Sequence, residues 1–107
     1  MNDFEKLDIR VGCVIEATPY PEGKYSTHVS IIDCGAELGL KKSLARLAPN
    51  YSGSELVGRQ VVCVVNFAPR QIGKHKSEIL TLGVPDEGGN TALLRPDRDV
   101  PLGGKLY

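Results

Sequence analysis

This sequence predicts an all-β fold, a five-stranded barrel with a short helix between strands three and four. Three observations support this prediction. Twelve Gly and seven Pro among 107 residues divide the chain into short segments, which favours strands over long helices. Residues 9–17 alternate apolar and mixed positions, and residues 27–34 are rich in β-branched side chains; both patterns are typical of strands. Residues 52–58 alone carry clear signals for the start and end of a helix.

The third element, residues 38–47, is open to two interpretations. Helical spacing groups Leu40, Leu44 and Leu47 at i, i+4 and i+7, whereas a strand places Leu40 and Leu44 on one face with two cations. We prefer a strand, because Gly39 and Pro49 leave little room for a stable helix. The short helix follows at 52–58, with Ser52 as N-cap in a capping box and a glycine as the stop.

The second half of the chain predicts further strands. Residues 61–67 form a compact apolar run, expected to be a central strand buried on both faces. A cationic loop at 70–76 leads to a fifth strand at 77–83, and a Gly-rich loop precedes a short strand at 91–95. Residues 96–107 are expected to be extended. This order of elements predicts a five-stranded OB-fold barrel in a single domain, residues 1–107, with a small SH3-like barrel as the competing architecture.

The charge of the chain is balanced overall but divided along its length. Thirteen Lys and Arg face thirteen Asp and Glu, yet residues 41–80 hold seven cations against two carboxylates. A local basic patch attracts anionic partners whatever the total charge; charges spread over unrelated surfaces are the other interpretation. No apolar run approaches the roughly 18 residues of a transmembrane helix, and residues 1–6 lack the apolar region of a secretory signal. We therefore expect a cytoplasmic protein.

No pattern of catalytic or metal-binding residues occurs, so we expect neither enzyme activity nor a cofactor. The phosphate-loop, GxSxG and HExxH motifs are absent, and neither His28 nor His75 has an evident catalytic partner. We expect His28 at the surface or barrel rim, since it alternates with apolar positions of the second strand. The three cysteines, Cys13, Cys34 and Cys63, offer no zinc-ligand spacing and lie in apolar runs, where we expect them to be buried.

Residues 66–78 are the richest candidate for a binding site. They combine an aromatic ring, an amide and three cations directly after a buried strand, where a rigid barrel presents loop side chains. Lys and Arg pair with phosphates, and Asn66 suits a base edge or a backbone amide. The candidate tRNA- or anion-binding residues are Lys41, Lys42, Arg46, Asn66, Arg70, Lys74, Lys76 and Ser77.

Two considerations limit this interpretation. With two Phe, four Tyr and no Trp, a stacking platform for several bases is poorly supplied. Recognition of folded RNA by shape and phosphate needs fewer aromatic side chains. The alternative is a polar hairpin connection that is basic without a binding function.

Several motifs resemble the tRNA-binding OB-fold domain family. Residues 3–12, DFEKLDIRVG, are similar to the FxKLDIRVG start of that family, and residues 64–70, VVNFAPR, resemble its VVNxxPR/K segment. Residues 32–35, 94–97 and 101–103 resemble the end of strand two and the proline-rich ending. The family includes the C-terminal domain of many methionyl-tRNA synthetases and stand-alone tRNA-binding proteins. The resemblance spans essentially the whole chain and implies an OB-fold and tRNA as a partner.

Within this family, residues 66–80 and 93–101 look most like the CsaA group of export-related chaperones, which bind unfolded preproteins as homodimers. The resemblance thus implies unfolded preproteins as partners and an export motor as a further one. Other tRNA-binding members continue with a PxKMRGxxS run. Here Arg70 and Ser77 match that run, whereas residues 72–74 depart from it, which favours polypeptide over tRNA.

A polypeptide-binding function requires an exposed apolar groove. Its candidate peptide-binding residues are Phe67, Ala68, Pro69 and Ile72, with cations at the rim whose effect on affinity is salt-sensitive. A homodimer would bury apolar residues of the two terminal segments around a two-fold axis. These residues are Phe4, Leu7, Leu102, Leu106 and Tyr107.

Overall fold

The computed structural model describes residues 2–107 as a nearly closed antiparallel barrel with two added hairpins. The strands are β1 (Ile9–Pro19), β2 (His28–Asp33), β3 (Leu40–Ala45), β4 (Gln60–Val64), β5 (Arg70–Ile72), β6 (His75–Ser77), β7 (Leu80–Thr81), β8 (Gly83–Pro85) and β9 (Thr91–Leu93). Five of them form one sheet in the order β3-β2-β1-β4-β7, while β5-β6 and β8-β9 each form a two-stranded hairpin. The helix α1 (Gly53–Leu56) lies between β3 and β4.

The two ends of the five-stranded sheet meet through polar contacts between β3 and the chain around β7. The hydroxyl oxygens of Ser43 and Thr81 are 2.9 Å apart, and the backbone N–H of Glu78 donates to the carbonyl of Lys42 at 2.8 Å. These bonds satisfy edge groups that an open sheet would expose. The predicted five-stranded OB-fold barrel is therefore confirmed, with residues 38–47 forming a strand rather than a helix.

β1 carries a bulge that changes which residues point inward. Its pairing with β2 shifts in register between Val14 and Glu16, so Ile15 is an extra residue of the kind that defines a bulge. Val14 is buried and Ile15 is exposed, whereas strict alternation predicts Ile15 on the apolar face. Cys13 is only half-buried, contrary to the expectation that all three cysteines are buried.

β4 is buried on both faces, as predicted for a central strand, although it ends at Val64 rather than at residue 67. Val61 and Cys63 belong to the main core inside the barrel, and Val62 and Val64 belong to a smaller second cluster with Ile9. The main core comprises Val14, Ile32, Cys34, Leu47, Leu56, Val61, Cys63 and Ile79. β4 therefore contributes side chains to two cores at once. Each fully buried aliphatic side chain stabilises the fold by about 1.5–3 kcal/mol.

α1 begins with the predicted capping box. The N–H of Glu55 donates to the Ser52 hydroxyl, and the Ser52 N–H donates to the Glu55 carboxylate at 3.1 Å. Together they satisfy two of the free donors at the helix start. Leu56, with no exposed area, packs in the main core, and Gly58 follows at φ +89°, a conformation that favours glycine.

The chain between β4 and the C-terminus differs from the expected loop and strand. Residues 70–76, expected as a cationic loop, instead contribute β5 and the start of β6, with a turn at Gly73 (φ +59°). The expected strand at 77–83 is not continuous: it covers the end of β6, all of β7 and the first residue of β8. Within this segment Ile79 is buried and Leu80 is exposed.

The C-terminal tail runs along β1 rather than standing free. The Val11 N–H donates to the carbonyl of Gly104, and the Gly103 N–H donates to the carbonyl of Val11. Further along, the Leu106 N–H donates to the carbonyl of Ile9. Leu106 and Leu7 pack against the second cluster. The tail therefore completes a small apolar face that the terminal segments share.

His28 is buried, which corrects the expectation of a surface histidine. On β2 the buried positions are His28, Ser30 and Ile32, and the intervening residues are half-buried. Burial lowers the pKa of His28 because the charged form loses hydration, and its Nδ1 lies 2.9 Å from the Thr27 hydroxyl. Within residues 2–107, no helix has the length and apolar character needed to span a bilayer.

Candidate functional site

A groove of about 550 Å³ opens between the β5–β6 hairpin, the β8–β9 hairpin and the end of β3. Its floor is apolar and includes Leu44, Ile72, Leu80 and Leu93. Its size lies within the range of about 300–1,000 Å³ that ligand sites usually have. We call this the main groove.

The charged residues of the main groove are all cationic. Lys24, Arg46 and Arg70 line it, and among the residues the structure describes no Asp or Glu does. The whole chain has equal numbers of cations and carboxylates, so this separation of charge is local. An apolar floor with a cationic rim suits a ligand that carries both apolar and acidic groups.

Hydrogen bonds hold the β8–β9 wall of the groove in place. A guanidinium nitrogen of Arg46 donates to the carbonyl of Gly89 at 2.8 Å, and the Thr91 hydroxyl donates to the Arg46 carbonyl at 2.7 Å. The Asn50 amide donates to both Asp86 and Thr91 at 2.8 Å. Arg46 thus joins the two sides of the groove besides contributing charge, since a guanidinium has further donors free.

Asp86 organises the turn of this wall. Its Oδ1 accepts the backbone N–H groups of Gly88 and Asn90, each at 2.9 Å. The bond from Asn50 and those backbone donors lower the pKa of Asp86, because each favours the charged carboxylate. The wall is therefore built around an ionised side chain.

A smaller pocket of about 190 Å³ adjoins the main groove and contains most of the predicted peptide-binding residues. Phe67, Ala68 and Ile72 line it, and Ile72 and Arg70 line both cavities. Pro69 is exposed but lines neither. β5 therefore separates a small apolar pocket from the main groove.

A third cavity, of about 390 Å³, lies on the other side of the β5–β6 hairpin. Lys42, Lys74 and His75 line it, opposite Glu16 and Glu22. The Lys42 ammonium lies 3.3 Å from His75 Nδ1. Because both signs of charge are present, this cavity lacks the cationic character of the main groove.

The predicted anion-binding residues are thus distributed over the barrel rather than gathered into one patch. Arg46 and Arg70 line the main groove, and Lys42 and Lys74 line the third cavity. Lys76 is exposed and Lys41 half-buried, outside all three cavities. Ligand binding by these side chains stays a prediction.

Asn66 and Ser77 make structural contacts. The Asn66 amide accepts from the N–H of Asp8 at 3.0 Å and donates to the carbonyl of Lys6 at 2.9 Å. The Ser77 hydroxyl accepts from the N–H of Leu44 at 3.1 Å and donates to the Ile79 carbonyl. Asn66 joins the N-terminal segment to the end of β4, and Ser77 helps to close the barrel.

Lys24 and Tyr25 line the main groove but were not predicted as site residues. They lie in the β1–β2 loop, residues 20–27, which contains one proline and no apolar pattern. The only signal in the sequence is a cation next to an aromatic side chain in a loop. Its position at the groove follows from barrel closure, which sequence periodicity does not describe.

A family model described as "Putative tRNA binding domain" matches residues 9–105 of the chain. The chain is 36% identical over 104 residues to the methionine–tRNA ligase of Pyrococcus horikoshii and 34% identical over 105 residues to that of Bacteroides fragilis. Those alignments cover 97% and 98% of this chain but 14% and 15% of the ligases. The chain therefore spans about one seventh of the length of these relatives.

Two crystal structures match over nearly the whole of both chains. Chaperone CsaA from Bacillus anthracis has 38% identity and a TM-score of 0.89, with 100% of this chain and 99% of that chain covered. The CsaA chaperone protein from Picrophilus torridus has 39% identity and a TM-score of 0.91, with coverage of 99% and 96%. The family model covers 97 of the 107 residues, from 9 to 105, which is nearly the whole chain. This chain belongs to the putative tRNA-binding domain family.

Proposed function

We propose that this protein binds unfolded preproteins as a CsaA-like chaperone and catalyses no reaction. The observation that carries the proposal is the main groove, which has an apolar floor and three cations. Of the residues that the structure describes, 2–107, no Asp or Glu lines it. The 38% and 39% identities to the two CsaA structures, with TM-scores of 0.89 and 0.91, support it.

An unfolded polypeptide fits this site on physical grounds. The floor residues offer aliphatic surface, which binds side chains of many shapes without directional bonds. Phe67 in the small pocket is about half exposed, and it supplies an aromatic contact beside the groove. Arg70, between the two cavities, offers charge-assisted bonds to acidic side chains or to backbone carbonyls of the ligand.

We also propose a cytoplasmic homodimer formed through the terminal segments. Phe4 and Tyr107 are exposed, and Leu7 and Leu106 are half-buried on the second apolar cluster. A second copy placed on this face would extend that cluster and cover the exposed rings.

Phe4→Glu is expected to shift the protein toward monomer in sedimentation velocity. Val57→Glu is the matched control, since Val57 is 51% exposed and Phe4 48%; a Phe4→Glu protein with unchanged sedimentation would contradict this interface.

The chaperone function is tested by binding of a labelled, unfolded, presequence-bearing polypeptide, followed by fluorescence anisotropy. We expect micromolar or tighter binding that persists at moderate salt, because the apolar floor contributes a part that salt does not screen. Arg70→Glu should weaken binding. Arg98→Glu, which makes the same change in charge at an exposed position of the C-terminal tail, should not weaken it. Binding of folded tRNA alone, falling steeply with salt, would overturn the proposal.

tRNA binding is the second candidate function, and the family match across residues 9–105 favours it. Exposed cations on β5, β6 and the turn between them, Arg70, Lys74 and Lys76, would contact phosphates. The expected signature is a linear fall of log affinity with log salt whose slope decreases by roughly one for each phosphate-contacting Lys or Arg removed. A Lys76→Ala variant with an unchanged slope would remove Lys76 from this interface.

A further inference from the structure

The β1–β2 loop presents a cation and an aromatic ring at the mouth of the main groove. Both Lys24 and Tyr25 line the groove, and Tyr25 is 76% exposed. The Lys24 ammonium lies 5.5 Å from the centre of the Tyr25 ring, within the range of a cation–π contact. The loop thus carries a paired charge and ring at the edge of a binding cavity.

The base of this loop is held firmly. The N–H of Tyr20 donates to the carbonyl of Thr27 at 2.8 Å, and Ser26 is buried. The Thr27 hydroxyl accepts the N–H groups of Leu47 and Ala48 at 2.8 and 3.0 Å. Because both ends of the loop are fixed, its backbone requires little further ordering when a ligand binds.

The sign of the charge in the main groove distinguishes it from the cavity on the other side of the hairpin. In the third cavity two carboxylates, Glu16 and Glu22, oppose the lysines. In the main groove Lys24 belongs to the β1–β2 loop, Arg46 follows β3 and Arg70 lies on β5. Cations from three separate elements therefore converge on one apolar floor.

We propose that the main groove selects extended polypeptide segments in which acidic side chains neighbour large apolar ones, and that Lys24 and Tyr25 are part of this selection. This inference rests on the proposed function and adds the chemistry of the preferred segment. Apolar side chains of the segment contact the floor and the Tyr25 ring. Its carboxylates face the three cations, whereas a basic segment would meet like charges with no acidic side chain of the groove to offset them.

The test uses two fluorescent peptides that differ only in charge, one with Leu and Glu in alternation among polar spacers and one with each Glu replaced by Lys. For the unmodified protein we expect the acidic peptide to bind about tenfold tighter or more at low salt, since several weak ion pairs add together. Equal affinities, or tighter binding of the basic peptide, would overturn this inference and leave the proposed function standing. Failure of both peptides and of an unfolded preprotein to bind would overturn the proposed function.

Variants assign the selection to named residues. Lys24→Glu should abolish most of the preference for the acidic peptide, and Arg98→Glu, the same change in charge outside the three cavities, should retain it. Tyr25→Ala should weaken binding of the acidic peptide, and Tyr25→Phe should restore it because the ring remains. An unchanged preference in Lys24→Glu would overturn the role of the loop. Binding of a single-stranded RNA oligonucleotide that depends on Lys24 and Tyr25, without binding of the acidic peptide, would assign the groove to RNA instead.

Discussion

The ring of Tyr20 meets the imidazole of His75 edge to face, with ring centroids 5.1 Å apart and planes at 85°. Tyr20 is buried and directly follows β1, and His75 begins β6. Such aromatic pairs contribute about 0.5–1.5 kcal/mol beyond their buried area. This contact ties the β5–β6 hairpin, which separates the three cavities, to the base of the loop that carries Lys24 and Tyr25.

Gly73→Ala is expected to destabilise the hairpin more than an ordinary glycine substitution in the same backbone conformation. Gly73 has φ +59°, and a Cβ there would overlap the Tyr20 phenol oxygen. The left-handed conformation alone costs about 1–2 kcal/mol for a residue with a side chain. Chemical denaturation measures the free energy of unfolding. Gly39→Ala is the matched control, because Gly39 has φ +74° and no atom near the added Cβ; equal losses in the two variants would contradict the Tyr20 contact.

The thiol of Cys63 should make the folded protein less stable at alkaline pH. Burial raises the pKa of Cys63 to about 12, from the ordinary thiol value of 9.0. Between these values the unfolded chain releases the thiol proton and the folded protein keeps it, so the free energy of unfolding falls as pH rises, by at most about 1.4 kcal/mol per pH unit. Cys63→Ser, which does not titrate there, should show a shallower fall between pH 9 and 11 in urea denaturation. Parallel pH profiles for the two proteins would exclude this linkage.

Asn66→Ala should release the N-terminal segment from the end of β4. The variant loses two hydrogen bonds, to the N–H of Asp8 and the carbonyl of Lys6, each worth about 0.5–1.5 kcal/mol. Hydrogen exchange is expected to quicken at the amide of Asp8 and at Val65, whose N–H donates to Asp8. Lys76→Ala, at an exposed position of β6, should leave exchange at these amides unchanged. If Asn66→Ala instead weakens tRNA binding without changing exchange, the residue contacts the ligand.

The turn formed around Asp86 should be sensitive to acid. Because hydrogen bonds lower the pKa of Asp86 below the ordinary value of 3.8, the stabilising effect of its carboxylate is present at neutral pH and is lost as pH falls through that lowered pKa. NMR titration of the Gly88 and Asn90 amides should give a midpoint below 3.8. Asp86→Asn should abolish this titration. A midpoint above that value would show that the bonds do not favour the charged form.

Much of the barrel could be predicted from the sequence because its signals are local. Ser52, Glu55 and Gly58 specify a helix start and stop within seven residues, and the structure contains both features. β4 contains four consecutive buried residues in a compact apolar run, which is typical of a strand covered on both faces. The family resemblance at residues 3–12 and 64–70 is equally local, and the family match confirms it.

The groove could be predicted only in part. Arg46, Arg70 and Ile72 were among the predicted binding residues and line it, whereas Lys24 and Tyr25 come from a loop more than 20 residues earlier in the chain. Asn66, a predicted ligand contact, proves to have bonds to residues about 60 positions away. A polar side chain in a sequence shows its bonding capacity but not which partner satisfies it.

By itself, the sequence determined the class of fold, the order of the barrel strands and the short helix, the capping box and the family, since each depends on residue types at short spacing. Only the tertiary structure decided that a bulge at Ile15 turns that side chain outward, that His28 is buried, and that the tail pairs with β1. The separation of charge between the main groove and the third cavity was decided there too. The physical reason is that strand register and barrel closure bring together residues distant in the chain, and periodicity along one strand contains no information about that pairing.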